Sequence, residues 1–167
     1  VSADTMLYLP DFRSSERTFQ LLVQVAGRAG RSALGGQVIV QTYNPESPAI
    51  QAASRHDVDG FYAQEIAFRR EEWYPPASRL VALRYTGAGM LNVQHEASAM
   101  AERLRQRRAR LGIPEIDILG SAPCFYAMRK GKYRWQIILR GTDPTLLIRD
   151  INLPVGWQVD VDPISLL

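Results

Sequence analysis

Apolar side chains in the first half of the chain recur at the spacing of one helical face. Phe19, Leu22, Val23 and Ala26 predict a helix over roughly 15–26, with Asp11 or Ser14 placed to cap it. Residues 1–10 read as the end of a strand stopped by Pro10. After the turn Leu34-Gly35-Gly36, the short β-branched run 38–42 predicts a strand. Pro48 suits the first turn of a helix reaching Ala53. A longer helix is expected over about 58–72, carrying Phe61, Ile66 and Phe68 with Tyr62, Glu65 and Arg69 between them. Trp73-Tyr74-Pro75-Pro76 stops it, because paired prolines cannot continue a helix. The expected boundary therefore separates a segment 1–76 from a domain 77–167.

The second half has a regular rhythm. Residues 80–85 read as a strand and 92–111 as a helix with Val93, Ala97, Met100, Leu104 and Leu111 on one stripe, ended by Gly112 and Pro114. Residues 116–126 are extended, Arg129-Lys130-Gly131-Lys132 is a hairpin tip, and 133–139 is the returning strand. Asp143-Pro144 opens a short helix, and 157–162 alternates Trp, Val, Val against Gln, Asp, Asp, the period of a half-buried strand. Strand, helix, strand, strand, helix, strand is the split βαβ, ferredoxin-like order: an antiparallel sheet with two helices on one face. The fold class expected is α/β in the broad sense, α+β in the second part. One helix and one or two strands in the first part cannot cover a parallel sheet on both faces.

The composition is that of a folded globular chain, with 46% hydrophobic and 22% charged residues, and 167 residues suffice for one ordinary or two small domains. No run approaches the ~18 apolar residues of a membrane span, and no leader peptide is visible. The single cysteine, Cys124, excludes an internal disulfide and a multi-cysteine zinc site and fits a reducing compartment. Its neighbours Ala122, Pro123, Phe125 and Tyr126 favour a packed residue over a nucleophile. His56 and His95 read as incidental surface residues.

Two stretches carry candidate chemistry. In Gln24-Val25-Ala26-Gly27-Arg28-Ala29-Gly30-Arg31, two arginines three residues apart each follow a glycine. An arginine fork matches a phosphate and stays charged, so such a pair suits the charge that develops in phosphoryl transfer. The same spacing also fits a solvated loop after a helix. The full string is similar to the last conserved motif of superfamily-two helicases, Gln-x-x-Gly-Arg-x-Gly-Arg, in which both arginines reach ATP bound by the other lobe. The second stretch is basic. Arg129, Lys130, Lys132 and Arg134 surround the hairpin tip with Tyr126, Tyr133 and Trp135 interleaved, which suits phosphates and stacked bases. The long helix adds Arg103, Arg105, Arg107, Arg108 and Arg110, which equally serve to solvate its flanks. Strand aromatics usually pack in a core, and Tyr133 and Trp135 share one face. A net charge of +3 permits nucleic-acid binding without requiring it. Asp57/Asp59, Glu71/Glu72 and Asp160/Asp162 have no metal-ligand spacing and read as surface, although Asp160 and Asp162 are also placed to face the hairpin cations.

Further strings extend the likeness: Ala3-Asp4, Pro10-Asp11-Phe12-Arg13, Glu16-Arg17-Thr18 and Gln20-Leu21-Leu22 before the arginine motif, and Gln41-Thr42-Tyr43-Asn44-Pro45, Phe61-Tyr62, Glu65, Arg69 and Tyr74-Pro75-Pro76 after it. Gly120-x-Ala122-Pro123, Tyr133-Arg134-Trp135-Gln136 and Asp160-Val161-Asp162-Pro163 follow in order. The succession resembles the C-terminal part of the bacterial primosomal protein N′ family of replication-restart helicases, over essentially the whole chain. Ala77 departs from it, standing where the family commonly has an aromatic.

The resemblance implies a fragment: the tail of a second RecA-like helicase lobe, then a complete βαββαβ domain similar to a small ribosomal subunit protein. It implies a cytoplasmic bacterial enzyme that uses ATP and magnesium to unwind DNA at abandoned forks. Arg28 and Arg31 would contact the ATP γ-phosphate, and Gln24 would help couple the lobes. Partners implied are forked or single-stranded DNA, single-strand-binding protein and primosome proteins, with no membrane. The family's zinc-binding cysteines would lie in an insert before residue 1, and no metal is expected here. The chain has no Gly-x-x-x-x-Gly-Lys-Ser/Thr loop and no acidic magnesium motif, so it is expected to bind no cofactor and hydrolyse no ATP by itself. Two alternatives stay open: a non-catalytic module that docks fork DNA or single-strand-binding protein, and another superfamily-two helicase acting on forks or RNA.

Overall fold

The computed structural model describes residues 2–30 and 36–167. The chain divides into two compact units, Val1–Arg69 and Arg70–Leu167.

The first unit is helical. After α1 (Asp4–Leu7) come α2 (Ser14–Ala29), α3 (Pro48–Arg55) and α4 (Val58–Glu71), whose last residues pass into the second unit. Phe19 and Leu22 of α2, Ala49, Ile50 and Ala53 of α3 and Phe61 of α4 make one apolar cluster with Ala3. The Phe19 and Phe61 rings stack at 4.0 Å between centroids. Neither expected cap acts as one: the Ser14 hydroxyl turns back to the Leu9 carbonyl, and Asp11 accepts from the Arg13 amide. Residues 4–7 are helical where a strand was expected. The expected strand 38–42 is absent as such, although its last residues keep a single parallel bridge, Ser2 to Gln41. A strand exists only through its neighbours. Here the Gln41 carbonyl accepts from the Ala3 amide, and the Asp4 carboxylate takes the Thr42 hydroxyl and Tyr43 amide.

α4 presents an unexpected face. Phe61, Glu65 and Arg69 are its buried residues, whereas Ile66 and Phe68 are 37% and 51% exposed. The polar pair is satisfied as a network. Arg69 reaches Glu65 at 2.8 Å and Glu16 at 3.0 Å, Arg13 also reaches Glu16 at 3.0 Å, and the Arg69 guanidinium lies over the Phe12 ring. Burial works against the Glu16 charge, but the hydrogen bonds from Arg13 and Arg69 outweigh it and hold the carboxyl below its ordinary range.

The second unit is a four-stranded sheet with one long helix. β1 (Arg79–Gly87) leads to α5 (Met90–Leu111), then β2 (Asp117–Arg129), β3 (Lys132–Gly141), a 3-10 turn (Pro144–Leu147) and β4 (Trp157–Val161). The spatial order is β2-β3-β1-β4, every pair antiparallel. β3 thus lies between β1 and β2, and β1 between β3 and β4, so each crossover skips a strand. The second expected helix is only the 3-10 turn, opened by Pro144 with the Asp143 carboxylate accepting from the Thr145 amide. On the helix side, Val81, Leu83, Ile118, Ile137 and Leu139 pack against Met100, Ala101 and Leu104. Trp135 packs with Val93 and Ala97, and Tyr85, Tyr133 and Trp157 join that cluster. The stripe expected on α5 holds except at Leu111, the last helical residue, which is 46% exposed; Gly112 closes the helix at φ +64. On the opposite face Leu80, Ala82 and Ile138 are also buried. There Arg84 donates to the Ser165 carbonyl, so the C-terminal segment runs along this side.

Removing Arg69 would leave two carboxylates in a poorly hydrated site. Arg69→Ala should lower the stability of the first unit by about 3–5 kcal/mol in urea unfolding at neutral pH. Glu16 adds a pH signature. Its folded-state pKa lies below its ordinary 4.5, so its contribution is complete above that pH and is lost as the pH falls through the depressed value. The gap between wild type and Arg69→Ala should therefore shrink on acidification below about pH 4.5.

Candidate nucleic-acid interface

The arginine motif sits on the end of α2. The helix runs through Gly27 to Ala29, three residues beyond its expected end, and Gly30 closes it at φ −69, right-handed. Gly27 and Gly30 therefore do not break the helix by left-handed geometry. Gln24 and Arg28 are both exposed and one turn apart, so their side chains share a face. Arg28 lies in the last turn, where the helix dipole favours a cation. Arg31 lies outside the described residues.

The basic stretch becomes one site. β2 and β3 join through Lys130-Gly131, with φ +51 and +74. Positive φ at both central residues is what a two-residue type I′ hairpin requires, and it continues the strand twist. Arg129 and Lys132 are register partners at the tip, and Arg134 pairs with Thr86 of β1. Thr86, Arg129, Lys130, Lys132, Arg134 and Gln158 line a groove of about 290 Å³. All four expected cations are thus in one place, with two neutral hydrogen-bonding side chains beside them.

The acidic residues in and just after β4 do not neutralise them. Asp160 is within 3.3 Å of Arg84 and Asp162 within 2.7 Å of Arg79, both on β1. The Arg79 hydrogen bond holds the Asp162 carboxyl below its usual range, and Thr145 does the same for Asp143. Among the described residues no carboxylate forms an ion pair with Arg129, Lys130, Lys132 or Arg134.

Three of the five α5 arginines serve the fold. Arg105 donates to the Gly120 carbonyl at 2.7 Å, Arg107 to Arg149 at 2.6 Å and Arg108 to Ile116 at 3.1 Å. The aromatics separate as well. Trp135 is buried and Tyr133 joins its cluster, while Tyr126 is 59% exposed. Phe125, which the cation-aromatic pattern did not include, is 47% exposed beside it. Cys124 is buried; desolvation pushes its thiol up against the pull of Arg134 and Arg84. His56 takes the left-handed position closing α3, and His95 is exposed on α5. Among the described residues no three His, Cys, Asp or Glu side chains come together as metal ligands, and no helix is long and apolar enough to cross a membrane.

The family model of the primosomal protein N C-terminal domain matches residues 70–164. Replication restart protein PriA of Synechocystis is 39% identical over 173 residues, taking in 99% of this chain and 20% of that protein. The PriA proteins of Treponema pallidum and Bacillus subtilis are 40% and 41% identical over 99% and 88% of the chain, and 26% and 18% of their own lengths. The chain belongs to the primosomal protein N (PriA) family through its C-terminal domain. It spans about a quarter or less of the length of these relatives.

Three substitutions separate shape from charge in this unit. Gly131→Ala meets no neighbouring atom, so its cost is the left-handed backbone alone, about 1 kcal/mol, read as a lower thermal midpoint. Arg108→Ala, which strips a partly buried carbonyl of its donor, should cost about 1–2 kcal/mol, while Arg103→Ala on the exposed flank should stay within about 0.5 kcal/mol.

Proposed function

We propose that this chain is the C-terminal part of an ATP-dependent DNA helicase that restarts replication at stalled forks. The observation that carries the reading is the match to replication restart proteins across 99% of the chain. In this reading the first unit is the end of a second RecA-like lobe and the second unit is a ferredoxin-like domain. The β2-β3-β1-β4 order, with each crossover skipping a strand, supports the latter.

Arg28 and Arg31 act as arginine fingers, and Gln24, one turn before Arg28, helps couple nucleotide binding to lobe movement. Arg28 fits such a role: it is exposed in the last turn of a helix, and its fork of donors matches a phosphate. Bound ATP with magnesium would supply the phosphoryl group whose hydrolysis drives movement, and it would be held by residues of the other lobe. The hairpin groove contacts DNA backbone through Arg129, Lys130, Lys132 and Arg134. Single-strand-binding protein and primosome proteins are the partners this role calls for, zinc belongs to an insert upstream, and the compartment is the cytoplasm.

Two measurements test the reading. The isolated chain should turn over no ATP. In a longer protein carrying the nucleotide site, Arg28→Ala or Arg31→Ala should reduce DNA-stimulated ATPase by about 10³–10⁵-fold; wild-type rates in both variants would refute the finger assignment. For the groove, fluorescence anisotropy against single-stranded DNA over a salt series is expected to lose about 0.7 from the log-log slope for each of Arg129→Ala, Lys130→Ala and Lys132→Ala. An unchanged slope in the triple variant would remove these residues from the interface.

A further inference from the structure

The longest irregularity in the sheet lies beside the basic groove. β2 and β3 keep register at Pro123 with Trp135 and resume it at Met128 with Tyr133. Residues 124–127 therefore stand opposite Arg134 alone. Cys124 roots this bulge in the interior, while Phe125 and Tyr126 are 47% and 59% exposed and Met128 is 61% exposed. The rings meet edge to face, 4.9 Å between centroids and 74° between planes. In such a pair one ring spends an edge and the other a single face, so flat ring surface remains open to solvent.

The other aromatics of the sheet are placed differently. Tyr85, Tyr133, Trp135 and Trp157 all pack on the helix side. Leaving a large apolar side chain in water forgoes the gain of burying it, and bulges of this kind re-aim side chains away from the sheet. The exposed rings lie four and three residues before Arg129, on the strand that runs into the hairpin tip. Flat aromatic surface on the strand that runs into four cations, which form no ion pair among the described residues, matches a single strand of nucleic acid, with phosphates for the cations and unpaired bases for the rings. A duplex keeps its bases stacked inside and offers only the phosphates.

We propose that the Phe125–Tyr126 bulge is a base-stacking site that makes the hairpin groove selective for single-stranded over duplex nucleic acid. The proposal deepens the DNA-binding reading of the groove and rests on it for the phosphate contacts.

The test measures anisotropy of the whole chain with labelled oligo(dT), an abasic strand of equal length and a duplex. The double variant Phe125→Leu/Tyr126→Leu, which keeps apolar bulk without ring faces, is compared with wild type after circular dichroism verifies its fold. Oligo(dT) binding should weaken about 5- to 150-fold in the variant, the worth of one stacked base. Duplex binding and the salt slope should not change, and wild type should bind the abasic strand about as weakly as the variant binds oligo(dT). Equal affinity of wild type for oligo(dT) and the abasic strand would overturn the proposal, and this comparison decides even if the variant fails to fold. So would a variant that binds oligo(dT) like wild type, as expected if the rings served a protein partner, or no binding of oligo(dT) by wild type. The hairpin triple variant keeps the two readings apart. An unchanged slope with the oligo(dT) preference intact sinks the cation assignment alone; a reduced slope with no such preference sinks stacking alone.

Discussion

The register between β1 and β3 is the constraint on which the second unit depends. Arg79 to Gly87 pair in order with Gly141 to Tyr133, and β1 pairs again with β4 along its other edge. Side chains alternate across a sheet, so this one alignment sends Val81, Leu83, Ile137 and Leu139 to the helix and leaves Thr86, Lys132 and Arg134 on the far side. A slip of one residue would bury the cations and expose the core. The apolar pattern that stabilises the unit is thus the same feature that fixes where its positive charge appears.

Much of this was legible in the sequence because the second unit is patterned locally. Alternation along 157–162, the stripe on α5, Gly112 past a helix end and Lys-Gly at a two-residue turn each state their own structure, and strand, helix and turn stand at those places, although Val159 and Val161 are exposed where a half-buried strand was expected and Leu111 leaves the stripe. The four hairpin cations could be named for the same reason, since a tight turn places its flanking residues together.

What was not legible depended on partners distant in sequence. The run 38–42 has the β-branched residues of a strand, but pairing is not a property of one segment, and here side chains of Asp4 and Thr42 take up the backbone instead. Ile66 and Phe68 lie along α4 with Phe61, yet Glu65 and Arg69 share the buried face with Phe61 because Glu16, 53 residues before Arg69, completes their ion network. The arginines of α5 gave no sign of which carbonyls they would meet. Phe125 and Tyr126 read as strand residues because a register shift is decided by the neighbouring strand, Arg134 included, and leaves no periodic trace.

The 3-10 turn that replaces a second helix has a consequence for solution behaviour. With so little cover near β4, Val159 and Val161 remain 39% and 44% exposed on the outermost strand, and Val155 before it is 99% exposed. An open, apolar strand edge invites another copy to pair with it. The strand is only five residues long, and Asp160 and Asp162 alternate with those valines, so two such edges brought together would set carboxylate against carboxylate. Their pairing to Arg84 and Arg79 holds them in place, and the sheet carries its own gatekeepers against fibrous self-association.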